Sequence, residues 1–153
     1  MEFDTGPFDS ESDVESVGRK LAALIRPGDL ITLSGPLGAG KTTLARGAIR
    51  EFCGENFAPS PTFTLVEIYA KGDIELSHFD LYRLKDAEEI WELGLEDALD
   101  QGICLIEWPE KINKILPDGR LEISISVESN QRHIHFRHNG AWAERLNRET
   151  LNF

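Results

Sequence analysis

Eight consecutive residues constrain this chain more than any other feature. Gly35-Pro36-Leu37-Gly38-Ala39-Gly40-Lys41-Thr42 fills every fixed position of the pattern G-x-x-x-x-G-K-[ST]. The composition follows from what the pattern holds. A triphosphate has to be wrapped by backbone N–H groups at close range, and glycines allow the tight turn while keeping side chains out of the way. A helix opening at Lys41 points its free N–H groups and the positive end of its dipole at the phosphates. Lys41 then reaches the β- and γ-phosphates, the Thr42 hydroxyl coordinates magnesium, and Thr43 contacts the α-phosphate. The flanks suit this reading. Leu30 to Leu33 is a short apolar strand before the loop, and Lys41 to Phe52 is a proline-free helical stretch stopped at Gly54.

Elsewhere the pattern alternates between helical and extended segments. Ser12, Asp13, Val14 and Glu15 read as a capping box. The helix after it places Val14, Val17, Leu21, Leu24 and Ile25 on one face and ends at Pro27-Gly28. Thr62 to Ala70 and Ile74 to Leu81 are rich in β-branched and aromatic residues. Only Lys71-Gly72-Asp73 separates them, which predicts a hairpin. An acidic helical stretch from Asp86 to Leu99 follows, with Trp91, Leu95 and Leu99 as an apolar stripe. Ile103 to Trp108 is a second apolar strand, stopped by Pro109. Arg120 to Val127 and Arg132 to His138 predict a second hairpin, and Trp142 to Leu151 a closing helix. Fully apolar strands beside helices call for a sheet covered on both faces, and the hairpins make it mixed. The expected fold is a three-layer α/β P-loop NTPase fold, a mixed β-sheet flanked by helices, as a single domain over 1–153.

The bulk properties narrow the function. The chain has 153 residues, 41% hydrophobic and 28% charged, which fits one soluble core. No apolar run reaches the length of a membrane span. The first ten residues are acidic and polar, unlike a secretory signal, so the expected location is cytoplasmic. The net charge of −11 opposes direct contact with a phosphate backbone. Any service to nucleic acid is expected through a partner. Cys53 and Cys104 lie in no metal-ligand spacing, and Cys104 reads as a small buried hydrophobe.

A P-loop enzyme also needs an acid on the metal side, usually at a strand end. Asp80 ends Ile74 to Phe79, and Glu107 ends Ile103 to Ile106. Either one could hold magnesium, directly or through water, while the other orients the attacking water. The guanine-site pattern N-K-x-D is approached only at Asn113-Lys114-Ile115-Leu116, which lacks the aspartate. The expected ligands are therefore ATP and Mg2+. His133 and His135 alternate along a strand and are expected on its solvent face.

Beyond the loop, four further motifs occur in order: Ser60-Pro61-Thr62-Phe63-Thr64-Leu65-Val66, His78-Phe79-Asp80-Leu81-Tyr82-Arg83-Leu84, Glu92-Leu93-Gly94, and Ile106-Glu107-Trp108-Pro109-Glu110. With these the sequence resembles the bacterial TsaE (YjeE-type) family, small P-loop ATPases needed to make threonylcarbamoyladenosine in tRNA. The resemblance runs from about Ser12 to Arg132. It implies that Thr42 and Glu107 hold magnesium and that Asp80 acts as a catalytic acid or from just behind the metal. It makes Ser60 to Val66 a switch-like loop, with Thr62 or Thr64 sensing the γ-phosphate. Trp108 would lie beside the nucleotide, Arg132 near it, and Glu11 by the adenine. The implied partner is a TsaD–TsaB pair, whose turnover ATP hydrolysis would drive or reset; tRNA would be met only through that complex.

Two other functions fit the loop itself. A small nucleotide or metabolite kinase would need an acceptor site and an arginine-bearing lid, and only Arg83 and the C-terminal arginines are available. A non-hydrolysing ATP-dependent scaffold would bind without releasing phosphate. The acids of Asp86 to Asp100 form a solvated face or a docking surface for a basic partner.

Overall fold

Strands that read as fully apolar sit at the centre of the sheet, and alternating ones sit at its flanks. The computed structural model describes residues 1–54, 61 and 64–146. In chain order the elements are β1 (Glu2–Phe8), α1 (Glu11–Ala22), β2 (Leu30–Ser34), α2 (Lys41–Cys53), β3 (Val66–Lys71), β4 (Ile74–Asp80), α3 (Leu95–Gln101), β5 (Ile103–Glu107), β6 (Leu121–Glu128), β7 (Gln131–His138) and α4 (Trp142–Arg145). Among the described residues the strands form one seven-stranded sheet, ordered β1-β7-β6-β2-β5-β4-β3. The central β6, β2, β5 and β4 run parallel. The pairs β3/β4, β6/β7 and β1/β7 are antiparallel, so the sheet is mixed as expected.

Burial on both faces explains why the central strands lack polar alternation. Ile31, Leu33, Ile103, Leu105 and Ile123 point to one face, where they meet Val14, Val17 and Leu21 of α1 and Leu44, Ala48 and Ile49 of α2. Leu30, Cys104, Ile106 and Phe79 point to the other, against Ile90, Leu95 and Ala98. Each buried leucine or isoleucine contributes roughly 1.5–3 kcal/mol relative to exposure. No helix among the described residues is long and apolar enough to cross a membrane.

Several local expectations shift. The cap of α1 is Ser10, not Ser12: the Ser10 hydroxyl accepts from Asp13 N–H at 3.2 Å. Strand β1 lies where no element was predicted. The first hairpin strand starts at Val66, with Thr64 and Leu65 in a turn before it, and Lys71 pairs with Ile74 across a two-residue turn. The acidic stretch is two pieces, a 3₁₀ turn at Ala87–Trp91 and then α3, because Gly94 turns left-handed at φ 84. That break rotates the stripe: Ile90 is buried, whereas Trp91 is 48% exposed. Strand β5 stops at Glu107, and Trp108 is itself left-handed at φ 60. The closing helix expected over Trp142 to Leu151 is helical at Trp142–Arg145 and stops there, with Leu146 extended; its remaining residues lie outside the described ones.

Candidate functional site

The parallel register delivers the chemistry to one edge. Asp80 pairs with Glu107 across β4/β5, and Leu33 pairs with Glu107 across β2/β5. All three strands therefore end together, and the glycine loop begins one residue after Ser34. Ligand crevices of open α/β sheets lie at such carboxyl ends.

The loop is built for close backbone approach. Gly35 has φ 147, and a Cβ there would fall 2.5 Å from the carbonyl oxygen of Ile125. Gly40 caps α2 in the left-handed region at φ 113, and no side chain caps the first turn. The N–H groups of that turn consequently face the crevice without a side-chain acceptor, as an anion site requires.

Lys41 folds across this loop. Its Nζ donates to the carbonyls of Gly35 at 2.6 Å and Pro36 at 2.9 Å, and lies 4.1 Å from the centre of the Trp108 ring. Among the described residues it forms no ion pair. Burial lowers its pKa below the usual 10.5, while the carboxylates of Glu107, Glu110 and Asp80 pull it back up. The Tyr82 ring packs 4.9 Å from Trp108 and completes the wall.

Thr42 and Glu107 meet directly. The Thr42 hydroxyl sits 2.8 Å from Oε1 and 3.0 Å from Oε2 of Glu107, whose side chain is buried. Asp80 is buried beside them, and its Oδ1 accepts from the backbone N–H of Tyr82 at 3.1 Å. A hydroxyl and a carboxylate are the hard oxygen donors that magnesium takes. Among the described residues no group of three or more His, Cys, Asp or Glu could hold a metal ion. An ion here would draw its other ligands from phosphate and water, which is how Mg2+ is usually bound. The residues present therefore fit a magnesium–nucleotide complex.

Two adjoining cavities follow the loop. One of about 290 Å³ is lined by Lys41, Thr42, Asp80, Tyr82, Glu107 and Trp108, among others. The other, of about 130 Å³, is lined by Ser10, Glu11, Val14, Ala39, Thr43 and Arg132. Glu11, Gly38, Gly40 and Thr43 line both. Arg132 braces the loop from β7, donating from Nε to the Ala39 carbonyl at 3.2 Å and from Nη2 to that of Gly38 at 3.3 Å.

Of the expected site residues, the structure thus gathers Gly35, Gly38, Ala39, Gly40, Lys41, Thr42, Thr43, Asp80, Glu107, Trp108, Arg132 and Glu11 around the loop. Thr64 lines neither cavity; its hydroxyl donates to Glu67 at 3.1 Å in an exposed turn. Thr62 lies outside the described residues. His133 and His135 are half-exposed beside acids, with His135 Nδ1 2.6 Å from Asp4. One residue went unassigned. His78 is fully buried, and its Nε2 lies 2.6 Å from Oε2 of Glu107. The signal was its place two residues before Asp80, on the same face of the strand.

The comparisons with known proteins agree with one another. Residues 8–134 match the family model of the threonylcarbamoyl adenosine biosynthesis protein TsaE. The chain is 41% identical over 128 residues to the tRNA threonylcarbamoyladenosine biosynthesis protein TsaE of Rickettsia conorii, covering 83% of this chain and 73% of that one. Against the protein of the same name from Bacillus subtilis it is 40% identical over 114 residues, covering 74% and 71%. The crystal structure of Bacillus subtilis YdiB superposes with a TM-score of 0.73 at 32% identity, over 98% of this chain and 93% of that one.

Proposed function

The chain belongs to the TsaE family of threonylcarbamoyladenosine biosynthesis, and from that premise we propose that it is a magnesium-dependent ATPase acting with a TsaD–TsaB pair. Hydrolysis would drive or reset that pair between rounds of tRNA modification. The observation that carries the reading is the meeting of Thr42 with Glu107 beside the buried Lys41, at the open end of three parallel strands.

The geometry supports a role for each residue. The uncapped first turn of α2 and the glycine loop receive the phosphates. Lys41 exchanges the Gly35 and Pro36 carbonyls for phosphate oxygens, which are stronger acceptors because they are charged. Thr42 and Glu107 would hold the metal. Magnesium supplies positive charge that neutralises the charge developing on the phosphate oxygens. Asp80, buried with its Oδ1 accepting from the Tyr82 amide, orients the attacking water. Trp108 and Tyr82 wall off solvent, and Glu11, Thr43 and Arg132 border the space where the nucleoside extends. The net charge of −11 supports the division of labour, leaving tRNA contact to the partners.

The test is phosphate release from ATP and Mg2+, with the protein alone and with a purified TsaD–TsaB pair. Slow turnover alone and clear stimulation by the pair are expected. Asp80→Ala should bind ATP nearly as well and hydrolyse it about 10²-fold more slowly or worse, the range for losing a positioned proton acceptor. ATP binding without stimulation would overturn the partner-coupled reading and favour a kinase or a scaffold. Normal hydrolysis by Asp80→Ala would overturn the role given to Asp80.

A further inference from the structure

Glu107 is held from two directions, and only one of them belongs to the glycine loop. The Thr42 hydroxyl lies astride the carboxylate, 2.8 and 3.0 Å from its oxygens. From the sheet side, His78 approaches Oε2 to 2.6 Å, with side-chain exposures of 0% for His78 and 2% for Glu107. In the parallel register His78 lies opposite Leu105, and the imidazole reaches diagonally along β5 to Glu107. The contact thus crosses two strands and fixes the carboxylate against the sheet.

The imidazole's other nitrogen, Nδ1, is buried and makes no competing contact among the described residues. A carboxylate only accepts, so the 2.6 Å contact places the proton on Nε2. An Nε2–H facing the carboxylate therefore satisfies the contact.

From this geometry we propose that His78 is the positioning residue of the magnesium site, donating from Nε2 to hold the Glu107 carboxylate in the orientation that binds metal with Thr42. The proposal rests on the magnesium-nucleotide reading given above. The physical basis is general: carboxylates that bind metals are themselves oriented by hydrogen bonds from behind, and removing such a partner typically weakens metal binding about 10- to 100-fold. His78 acts only through Glu107. It lines neither cavity along the loop, so it touches no substrate.

The geometry also separates substitutions. The glutamine amide of His78→Gln can place an N–H donor where Nε2 stands. The shorter amide of His78→Asn reaches only the Nδ1 position, and His78→Leu has no donor. ATP affinity is measured by calorimetry on the full chain, once with saturating Mg2+ and once in EDTA. His78→Asn and His78→Leu should lose about 10- to 100-fold in Mg2+ and remain at the wild-type value in EDTA. His78→Gln should stay within a few-fold of wild type in both. Equal losses with and without Mg2+ would overturn the proposal, as would no loss in either condition. If His78→Leu fails to fold, the contrast between the two amides decides. Nitrogen-15 spectra of the ligand-free protein supply an independent readout: Nε2–H supports the proposal, and Nδ1–H overturns it. A wild type that gains nothing from Mg2+ would overturn the metal reading itself, an outcome distinct from a variant behaving like wild type.

Discussion

Among the described residues, two sets of buried ionised groups are built on opposite plans. Near the end of the described chain, Arg145 and Asp29 form a closed pair with side-chain exposures of 7% and 10%. Nη1 donates to Asp29 Oδ2 at 2.8 Å and to the Leu24 carbonyl at 2.6 Å, and Nη2 donates to Oδ1 at 2.7 Å. The guanidinium also lies 4.0 Å from the Trp142 ring, while Asp29 Oδ2 accepts from Arg26 N–H at 2.6 Å. Here charge meets charge, and the pair pins α4 to the turn before β2. At the glycine loop the cation and the acid are instead kept apart. Lys41 rests on neutral carbonyls and a ring, and Glu107 is held by a hydroxyl and an imidazole. A closed pair neutralises its charge within the fold. An open set retains its charge for phosphate and metal, and burial strengthens what it offers. The contrast separates burial that holds the fold from burial that prepares a site.

The largest effect should come from breaking the closed pair. Asp29→Ala leaves a buried guanidinium without its anion and should cost about 3–5 kcal/mol of unfolding free energy. Urea unfolding measures this, and ATP affinity of the folded fraction should not change. Replacing both partners with apolar residues should recover most of the loss, because two buried charges are then removed together. A loss under about 1 kcal/mol would mean that the pair is solvent-screened like a surface one, and the comparison would collapse.

The open set should respond the other way round. Lys41→Ala removes a charge-assisted contact to phosphate worth about 1.5–3 kcal/mol, which is roughly 10- to 150-fold in ATP affinity. The unfolding free energy should fall far less than in Asp29→Ala, since the ammonium is already disfavoured by burial. Calorimetric titration and urea unfolding on the same preparation would settle it. If Lys41→Ala unfolds as easily as Asp29→Ala, the loop lysine is part of the scaffold.

The two places were unequally legible in the sequence. Gly35 to Thr42, Asp80 and Glu107 could be found because binding a triphosphate and a metal demands those residue types at strand ends. The central strands were legible because burial on both faces leaves unbroken apolar runs. Strand β1 gave no such signal: of Glu2–Phe8 only Thr5 is buried, and the strand exists through pairing with β7, more than a hundred residues away. Ser10 and Ser12 look alike as caps, and the choice falls to Ser10 because the chain leaves β1 at Phe8. The Trp91–Leu95 stripe failed because it was drawn through Gly94, whose left-handed backbone ends one helical piece and starts another. Likewise Asp29 and Arg145 carry no local pattern; only the packing of Trp142 into the core brings them together. His78 was half visible, since alternation put it on the face of Asp80, but its partner lies on another strand.

A further buried ionisable group sharpens the contrast because it is neither closed nor poised. His138 ends β7 at 3% exposure, and neither ring nitrogen has a hydrogen-bond partner among the described residues. Burial, and then the positive amino terminus of Met1, lower its pKa below the usual 6.5. The sign of the consequence follows from linkage. Between the lowered folded pKa and 6.5 the unfolded chain holds the proton and the folded chain does not, so unfolding takes up protons. Stability contributed by keeping His138 neutral is thus intact above 6.5, is lost as pH falls below it, and stops changing once the folded histidine also protonates. The slope cannot exceed about 1.4 kcal/mol per pH unit for one proton. His138→Phe keeps the ring that meets Phe3 edge-on at 6.4 Å but cannot titrate. Urea unfolding of both proteins from pH 8 to 5 should give curves parallel at the alkaline end, with wild type losing more on the acid side. Equal slopes throughout would show that His138 takes up its proton as readily in the folded chain as in the unfolded one. Burial without a partner would then cost this fold nothing at that position, and the contrast would rest on the closed pair and the open set alone.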